Sequence, residues 1–158
     1  MNKRFVYLET SVISYLAAKP SRNLVVAGHQ SITQEWWTQR RKRFQAVISE
    51  IVLEEAQRGS PEAARRRLDI LNGIPFIPVT EEALSFADTL VLSGIVPTKA
   101  IQDALHIAVC CANTVDFLLT WNCTHIANAE KRGHIEEAAR KNGFTAPIIC
   151  TPEELLGE

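Results

Sequence analysis

Short apolar runs of strand length alternate along the chain with longer segments of helical period, the pattern of βα units wound around a mostly parallel sheet. Five runs carry the strands: Phe5 to Leu8, Ala46 to Ser49, Phe76 to Val79, Phe117 to Thr120 and Pro147 to Cys150. Pro75 and Pro78 bracket the third run and Pro147 opens the fifth. A proline cannot donate to a central ladder, so both runs are expected at sheet edges. Helical segments fall at roughly 11–18, 23–40, 50–58, 61–72, 81–93, 99–113, 128–142 and 152–156. Ser60 with Pro61, and Thr151 with Pro152, read as N-cap and first helical residue; Glu81 and Glu82 put acid in a first turn after Thr80. Gly59, Gly73, Gly94 and Gly143 stand where helices should stop. With no repeat, low-complexity tract or linker, residues 1–158 are expected to form one α/β domain.

With 46% hydrophobic and 22% charged residues, the chain falls outside the disordered, fibrous and disulfide-rich classes. Its formal net charge of −1 offers no global steering, so a nucleic acid would have to be met by a local basic patch. Two stretches concentrate positive charge, Arg40-Arg41-Lys42-Arg43 and Arg65-Arg66-Arg67. Each reads either as a solvated helix face or as a surface that tracks phosphates. Trp36 and Trp37 are adjacent on a helix, where one ring faces the core easily and the other covers a neighbour or a dimer contact. Cys110, Cys111, Cys123 and Cys150 have neither CxxC nor zinc-site spacing and read as reduced, small apolar residues. The opening MNKRFVYLETS holds too short an apolar stretch for a signal peptide, and no run approaches the ~20 residues of a membrane helix. A cytoplasmic, membrane-free protein is expected.

In an open parallel sheet, ligands bind beyond the carboxyl ends of the strands, so the polar residues that close each run are the ones that can carry chemistry. Glu9, Thr10 and Ser11 close the first run at a strand-to-helix junction, where Glu9 either serves a site or simply favours a helix N-terminus. Glu54 and Glu55 follow the second run, and either could turn towards the strand ends or remain on the surface. Asp103 heads the apolar helix Asp103-Ala104-Leu105-His106-Ile107-Ala108-Val109. An unpaired buried charge costs several kcal/mol, so Asp103 calls for a partner or a metal ion. His106, three residues on, shares its face and is a packing residue, a support for the acid or a ligand. The fourth run ends in Leu118-Leu119-Thr120-Trp121-Asn122, with His125 beyond, which delivers a hydroxyl and an amide to the same rim.

These pieces, in this order, resemble a PIN domain: Val6-Tyr7-Leu8-Glu9-Thr10-Ser11-Val12-Ile13, then Ile48-Ser49 through Glu55, then Asp103-Ala104-Leu105-His106-Ile107-Ala108, then Leu118-Leu119-Thr120-Trp121-Asn122. The set is similar to that of the VapC-type ribonuclease toxins of bacterial type II toxin–antitoxin pairs. The resemblance implies a three-layer α/β/α sandwich with a five-stranded parallel sheet in the order 3-2-1-4-5. It also implies an acidic Mg²⁺ or Mn²⁺ site that hydrolyses RNA, an antitoxin partner and self-association. On this reading Glu9 and Asp103 are metal ligands and Glu55 holds a ligand water or a second ion. Asn122, with Thr120, orients the acids or touches the phosphate.

Grouped acids suit that chemistry, because hard cations take oxygen ligands, activate a water and neutralise charge developing on phosphorus. Two positions depart from the pattern. Glu9 stands where aspartate is usual, which moves the carboxylate by about 1–1.5 Å, and Asn122 and His125 occupy a rim that often carries a fourth acid. The alternative is a PIN-fold module that binds RNA or protein through a degraded metal site. A different hydrolase built on strand-end acids is a second rival. No GxGxxG or GxxxxGKS loop and no GxSxG elbow is present to favour nucleotide binding or a serine nucleophile.

Overall fold

Val6, Tyr7 and Leu8 are fully buried and form the middle of the sheet, as a continuous apolar run should when helices cover both faces of a parallel strand. The chain is described here from a computed structural model that covers residues 2–157. Strand β1 (Arg4–Leu8) pairs in parallel with β2 (Phe44–Val47) on one side and β3 (Phe117–Leu119) on the other, and β4 (Ile148–Cys150) pairs with β3. The order is β2-β1-β3-β4, with Val6 opposite both Ala46 and Phe117.

The sheet therefore has four strands where the sequence predicts five. Phe76, in the third apolar run, makes only an isolated parallel bridge to Ile48, outside β2. Two backbone hydrogen bonds hold it there, Ile48 N donating to Pro75 O at 3.0 Å and Ile77 N to Ile48 O at 2.8 Å. Pro75 and Pro78 supply no N–H to continue the ladder, and the Pro78 carbonyl instead accepts from the Asn113 side chain at 2.9 Å. The run lies on the side where the third strand of a 3-2-1-4-5 order belongs, reduced to a single contact. Pro147 likewise leaves β4 at the opposite edge.

Among the described residues seven α-helices connect and cover the strands: α1 (Thr10–Ala17), α2 (Leu24–Glu35), α3 (Glu50–Ala56), α4 (Pro61–Leu71), α5 (Glu81–Leu92), α6 (Ile101–Ala112) and α7 (Ala129–Lys141). The expected caps form. Ser60 and Thr80 accept from Ala63 N and Ala83 N at 3.3 and 3.1 Å, and Gly94 and Gly143 take positive φ just past α5 and α7. The segment predicted as one helix over 23–40 departs from regular geometry after Glu35, passing through a π-helical turn at Trp36–Arg40 and a 3₁₀ turn at Arg41–Arg43. Trp36 is fully buried there, while the half-buried Trp37 lies beneath the Arg41 guanidinium, 4.0 Å from its ring centroid. β2 thus begins at Phe44, two residues before the predicted start. All four cysteines are free, and no helix among the described residues is long and apolar enough to cross a membrane.

Helix α1 packs against α2, α3 and α4, and α5 runs along α6, giving the α/β/α layers. Because every strand points the same way, the residues leaving β1, β2 and β3 emerge at one edge of the sheet. Only Glu9 separates β1 from α1, and Ile48 and Ser49 separate β2 from α3. These short junctions bring Glu9 and the start of α3, which carries Glu55, to the same edge.

Leu118 lies at the centre of β3 with no exposure, so Leu118→Ala is expected to lower unfolding free energy by about 2–5 kcal/mol. Ile148, 60% exposed on the edge strand, should tolerate alanine within about 0.5 kcal/mol. Urea unfolding of the two variants checks both values.

Candidate functional site

Glu9 is both the last residue of the β1 exit and the N-cap of α1, in extended conformation at φ −71° and ψ 154°. Its backbone N–H donates to Leu119 O at 3.1 Å, extending the β1–β3 ladder by one residue. The residue is 5% exposed, and its carboxylate is fixed by three donors. Ser11 Oγ and Thr120 Oγ1 each donate to Oε1 at 2.5 Å, and Ser11 N donates to Oε2 at 3.1 Å. Thr120 Oγ1 also accepts from Asn122 N at 2.9 Å, and Ser11 Oγ accepts from Trp121 N at 2.8 Å. The helix-capping role and the site role of Glu9 are therefore one arrangement.

Helix phase separates the two glutamates of α3. Glu54 is exposed, whereas Glu55 turns inward with its side chain 20% exposed. Glu55 Oε1 accepts from Thr10 Oγ1 at 2.7 Å and lies 2.5 Å from His106 Nε2. On the far side of the imidazole, His106 Nδ1 is 2.7 Å from the Tyr7 hydroxyl, which is 2.8 Å from Ser49 Oγ. Ser49 Oγ accepts from Ile51 N at 3.3 Å. This buried relay is satisfied in either charge state of the histidine. A neutral ring accepts from Tyr7 at Nδ1, and a protonated ring donates to it while Tyr7 donates to Ser49.

Burial opposes charge on both partners of the Glu55–His106 pair, but the bond between them wins. For His106, burial lowers the pKa, and the hydrogen bond to Glu55 with the charges of Glu9, Glu55 and Asp103 raises it above the usual 6.5. For Glu55, burial raises the pKa, and the hydrogen bond and charge of His106, the Thr10 hydroxyl and Arg58 lower it below 4.5.

One ligand atom each from Glu9, Glu55 and His106 falls within 4.8 Å of the others. Both ring nitrogens of His106 are engaged, so it orients Glu55 rather than offering a lone pair. Asp103 sits in the first turn of α6, half-buried and outside that group, close enough for its charge to act on His106. Among the described residues no lysine or arginine forms an ion pair with Glu9, Glu55 or Asp103, and Glu55 Oε2 accepts no hydrogen bond. Three carboxylates against one imidazole leave a deficit of positive charge, and the donors are hard oxygens, so the residues fit a divalent Mg²⁺ or Mn²⁺ ion.

Asn122 reaches the same rim, but its side-chain oxygen accepts from His125 N at 3.0 Å and so closes a turn. His125 Nδ1 lies 3.5 Å from Lys131 Nζ, which puts a cation beside the rim where a fourth acid was sought. The basic stretch Arg40–Arg43 runs directly into the amino end of β2 and therefore sits at the opposite edge of the sheet, about 15 Å of strand away. In the second stretch, Arg66 and Arg67 donate to the carbonyls of Ala17 and Ala56 at 3.0 Å, leaving Arg65 exposed.

Sequence reasoning reached Thr10, Ser11, Thr120 and His106 as neighbours of the acids but missed Tyr7 and Ser49. A signal existed for Tyr7, because a tyrosine in a strand buried on both faces must find a partner for its hydroxyl.

No known family's sequence model matches the chain, and no curated protein does. Among solved structures, the chain is similar to a chain of VapBC2 from Rickettsia felis, crystallised bound to a DNA fragment from their promoter. The two share 19% identity over 93% of this chain and 98% of that one, with a TM-score of 0.59. The likeness is one of fold, and the fold is PIN-like.

Tyr7→Phe leaves His106 Nδ1 and Ser49 Oγ without their shared partner and is expected to cost about 1–3 kcal/mol by chemical denaturation. The raised His106 pKa contributes stability that is complete below 6.5 and lost as pH climbs through the folded value. The lowered Glu55 pKa contributes stability that is complete above 4.5 and lost as pH falls through its folded value. With chelator present, the urea midpoint should be highest between those limits, and His106→Gln should remove the alkaline decline.

Proposed function

We propose that the chain is a single-domain, cytoplasmic endoribonuclease that hydrolyses RNA phosphodiester bonds with Mg²⁺ or Mn²⁺, and that it is the toxin of a type II toxin–antitoxin pair. The observation that carries this reading is the convergence of Glu9 and Glu55 at the carboxyl edge of a PIN-like sheet, with Asp103 near and no lysine or arginine paired to any of the three. A divalent ion bound there would neutralise charge developing on the phosphate and acidify a water.

The chain's own residues divide the remaining work. Glu9 and Asp103 hold the ion, the first locked in place by Ser11 and Thr120. Glu55, oriented by Thr10 and His106, keeps Oε2 free for a water or a second ion. Thr120 positions Glu9, and Asn122 shapes the rim through its turn to His125. Lys131, beside His125, supplies positive charge for a substrate phosphate. An antitoxin partner is supported by the VapBC2 neighbour, while RNA as substrate and a homodimer follow from the resemblance.

The second reading, a binding module that does not cut, is favoured by the three donors that already engage Glu9 and by Asn122 and His125 standing on the rim where a fourth acid was sought.

Labelled total RNA incubated with the protein is expected to be cleaved with Mn²⁺ or Mg²⁺ and spared with EDTA. Asp103→Asn and Glu9→Gln should each reduce the rate by more than about 100-fold. Thr120→Val removes only the hydroxyl that orients Glu9 and should lose roughly 10–100-fold. Metal-independent cleavage, or cleavage unchanged in both acid variants, would refute the reading. RNA binding without cleavage, in a protein that takes up no Mn²⁺ in a calorimetric titration, would select the binding module.

A further inference from the structure

Next to the acidic cluster lie three rings that play no part in holding it. Trp121 follows Thr120, and its backbone N–H donates to Ser11 Oγ, the same hydroxyl that donates to Glu9. The indole is thus tied to the acid through a single side chain. Its orientation is fixed as well. Trp121 Nε1 donates to the buried Thr33 Oγ1 at 2.7 Å, and Thr33 Oγ1 donates to His29 O at 2.5 Å. Against the indole stacks the imidazole of His29, with centroids 4.0 Å apart and planes at 13°. Tyr15 closes the group edge-on, 6.0 Å from His29 and 6.1 Å from Trp121.

A cluster that served packing alone would be expected inside, as Trp36 and Phe44 are. Tyr15, His29 and Trp121 are instead all only partly buried, Trp121 with one side against the core. Among the described residues, neither ring nitrogen of His29 has a hydrogen-bond partner. Val25, one turn earlier on the same face of α2, is 68% exposed and extends the apolar ledge.

Resting on the nuclease reading above, we infer that Tyr15, His29 and Trp121 form a stacking platform for an unpaired base of single-stranded RNA. The base adds to the preformed stack at His29 and holds its own phosphodiester beside Glu9. Stacking suits this place because the chain is nearly neutral and its densest basic stretch lies at the far edge of the sheet. With Lys131 the cation placed beside the rim, retention near the acids must draw on more than phosphate charge. Every base offers a π-face, so the platform secures a strand without reading its sequence.

The test is binding of a short single-stranded oligoribonucleotide to the full chain in EDTA, followed by anisotropy and by tryptophan fluorescence. The wild type should bind with quenching that is lost in Trp121→Phe. His29→Ala should weaken binding by roughly 5- to 100-fold, His29→Phe should restore it, and an abasic nucleotide at the docked position should mimic the loss. Undiminished affinity in a folded His29→Ala, indifference to abasic substitution, or no binding by the wild type overturns the proposal. Cleavage with Mn²⁺, measured alongside, separates the two readings. A protein that binds in a base-dependent manner without cutting keeps the platform and loses the nuclease. One that cuts while His29→Ala binds and turns over like the parent keeps the nuclease and loses the platform.

Discussion

The hydrogen bonds that Ser11 and Thr120 give to Glu9 Oε1 join the exit of β1, the first turn of α1 and the exit of β3 at one buried carboxylate. Removing a charged acceptor of this kind from water is costly unless its lone pairs are filled. Here two hydroxyls and a backbone N–H take three of the roughly four sites and leave one on Oε2 for a cation, and the result is a corner tied between two central strands. The corner sets the rest of the rim. Trp121 is held by Ser11, Asn122 by Thr120, and the His125 turn by Asn122, so the geometry propagates outward from Glu9.

A second buried system faces the first. Ser49, Tyr7, His106, Glu55 and Thr10 form a chain of polar contacts that crosses from the exit of β2 through the central strand to α6 and α3 and ends at α1. Its effect is to hold Glu55 inward and largely ionised while one carboxylate oxygen stays open. The two systems meet at α1, where neighbouring residues Thr10 and Ser11 each orient a different glutamate. Parallel strand direction separates this acidic edge from the basic one, since Arg4 and Arg41 to Arg43 lie where β1 and β2 begin.

Much of this was legible in the sequence. The alternation of apolar runs and helical segments gave βα units around a parallel sheet, and the resemblance to PIN domains implied the layers and the strand order. The rule that ligands gather at strand exits singled out Glu9 and Thr120 and left Glu54 and Glu55 as alternatives. The rest depended on information that local pattern does not contain. The third run has the composition of a strand, but its two prolines leave only a bridge to Ile48. The choice between Glu54 and Glu55 turned on the phase of a short helix. The contact between Tyr7 and His106 joins residues 99 positions apart, and that between Trp121 and Thr33 joins residues 88 apart; neither has a local signature. Asp103, the sharpest acid in the sequence, falls outside the tight group, whose α6 member is His106, one turn further along the helix.

The claim on which everything functional rests is that these acids hold a divalent cation. Anomalous diffraction from a crystal soaked in Mn²⁺ tests it without reference to substrate or activity. A peak bounded by the carboxylates of Glu9 and Asp103, with Glu55 Oε2 facing it and His106 still bonded to Tyr7, is the predicted result. A peak elsewhere, or none under conditions that saturate the protein with Mn²⁺, would contradict the account.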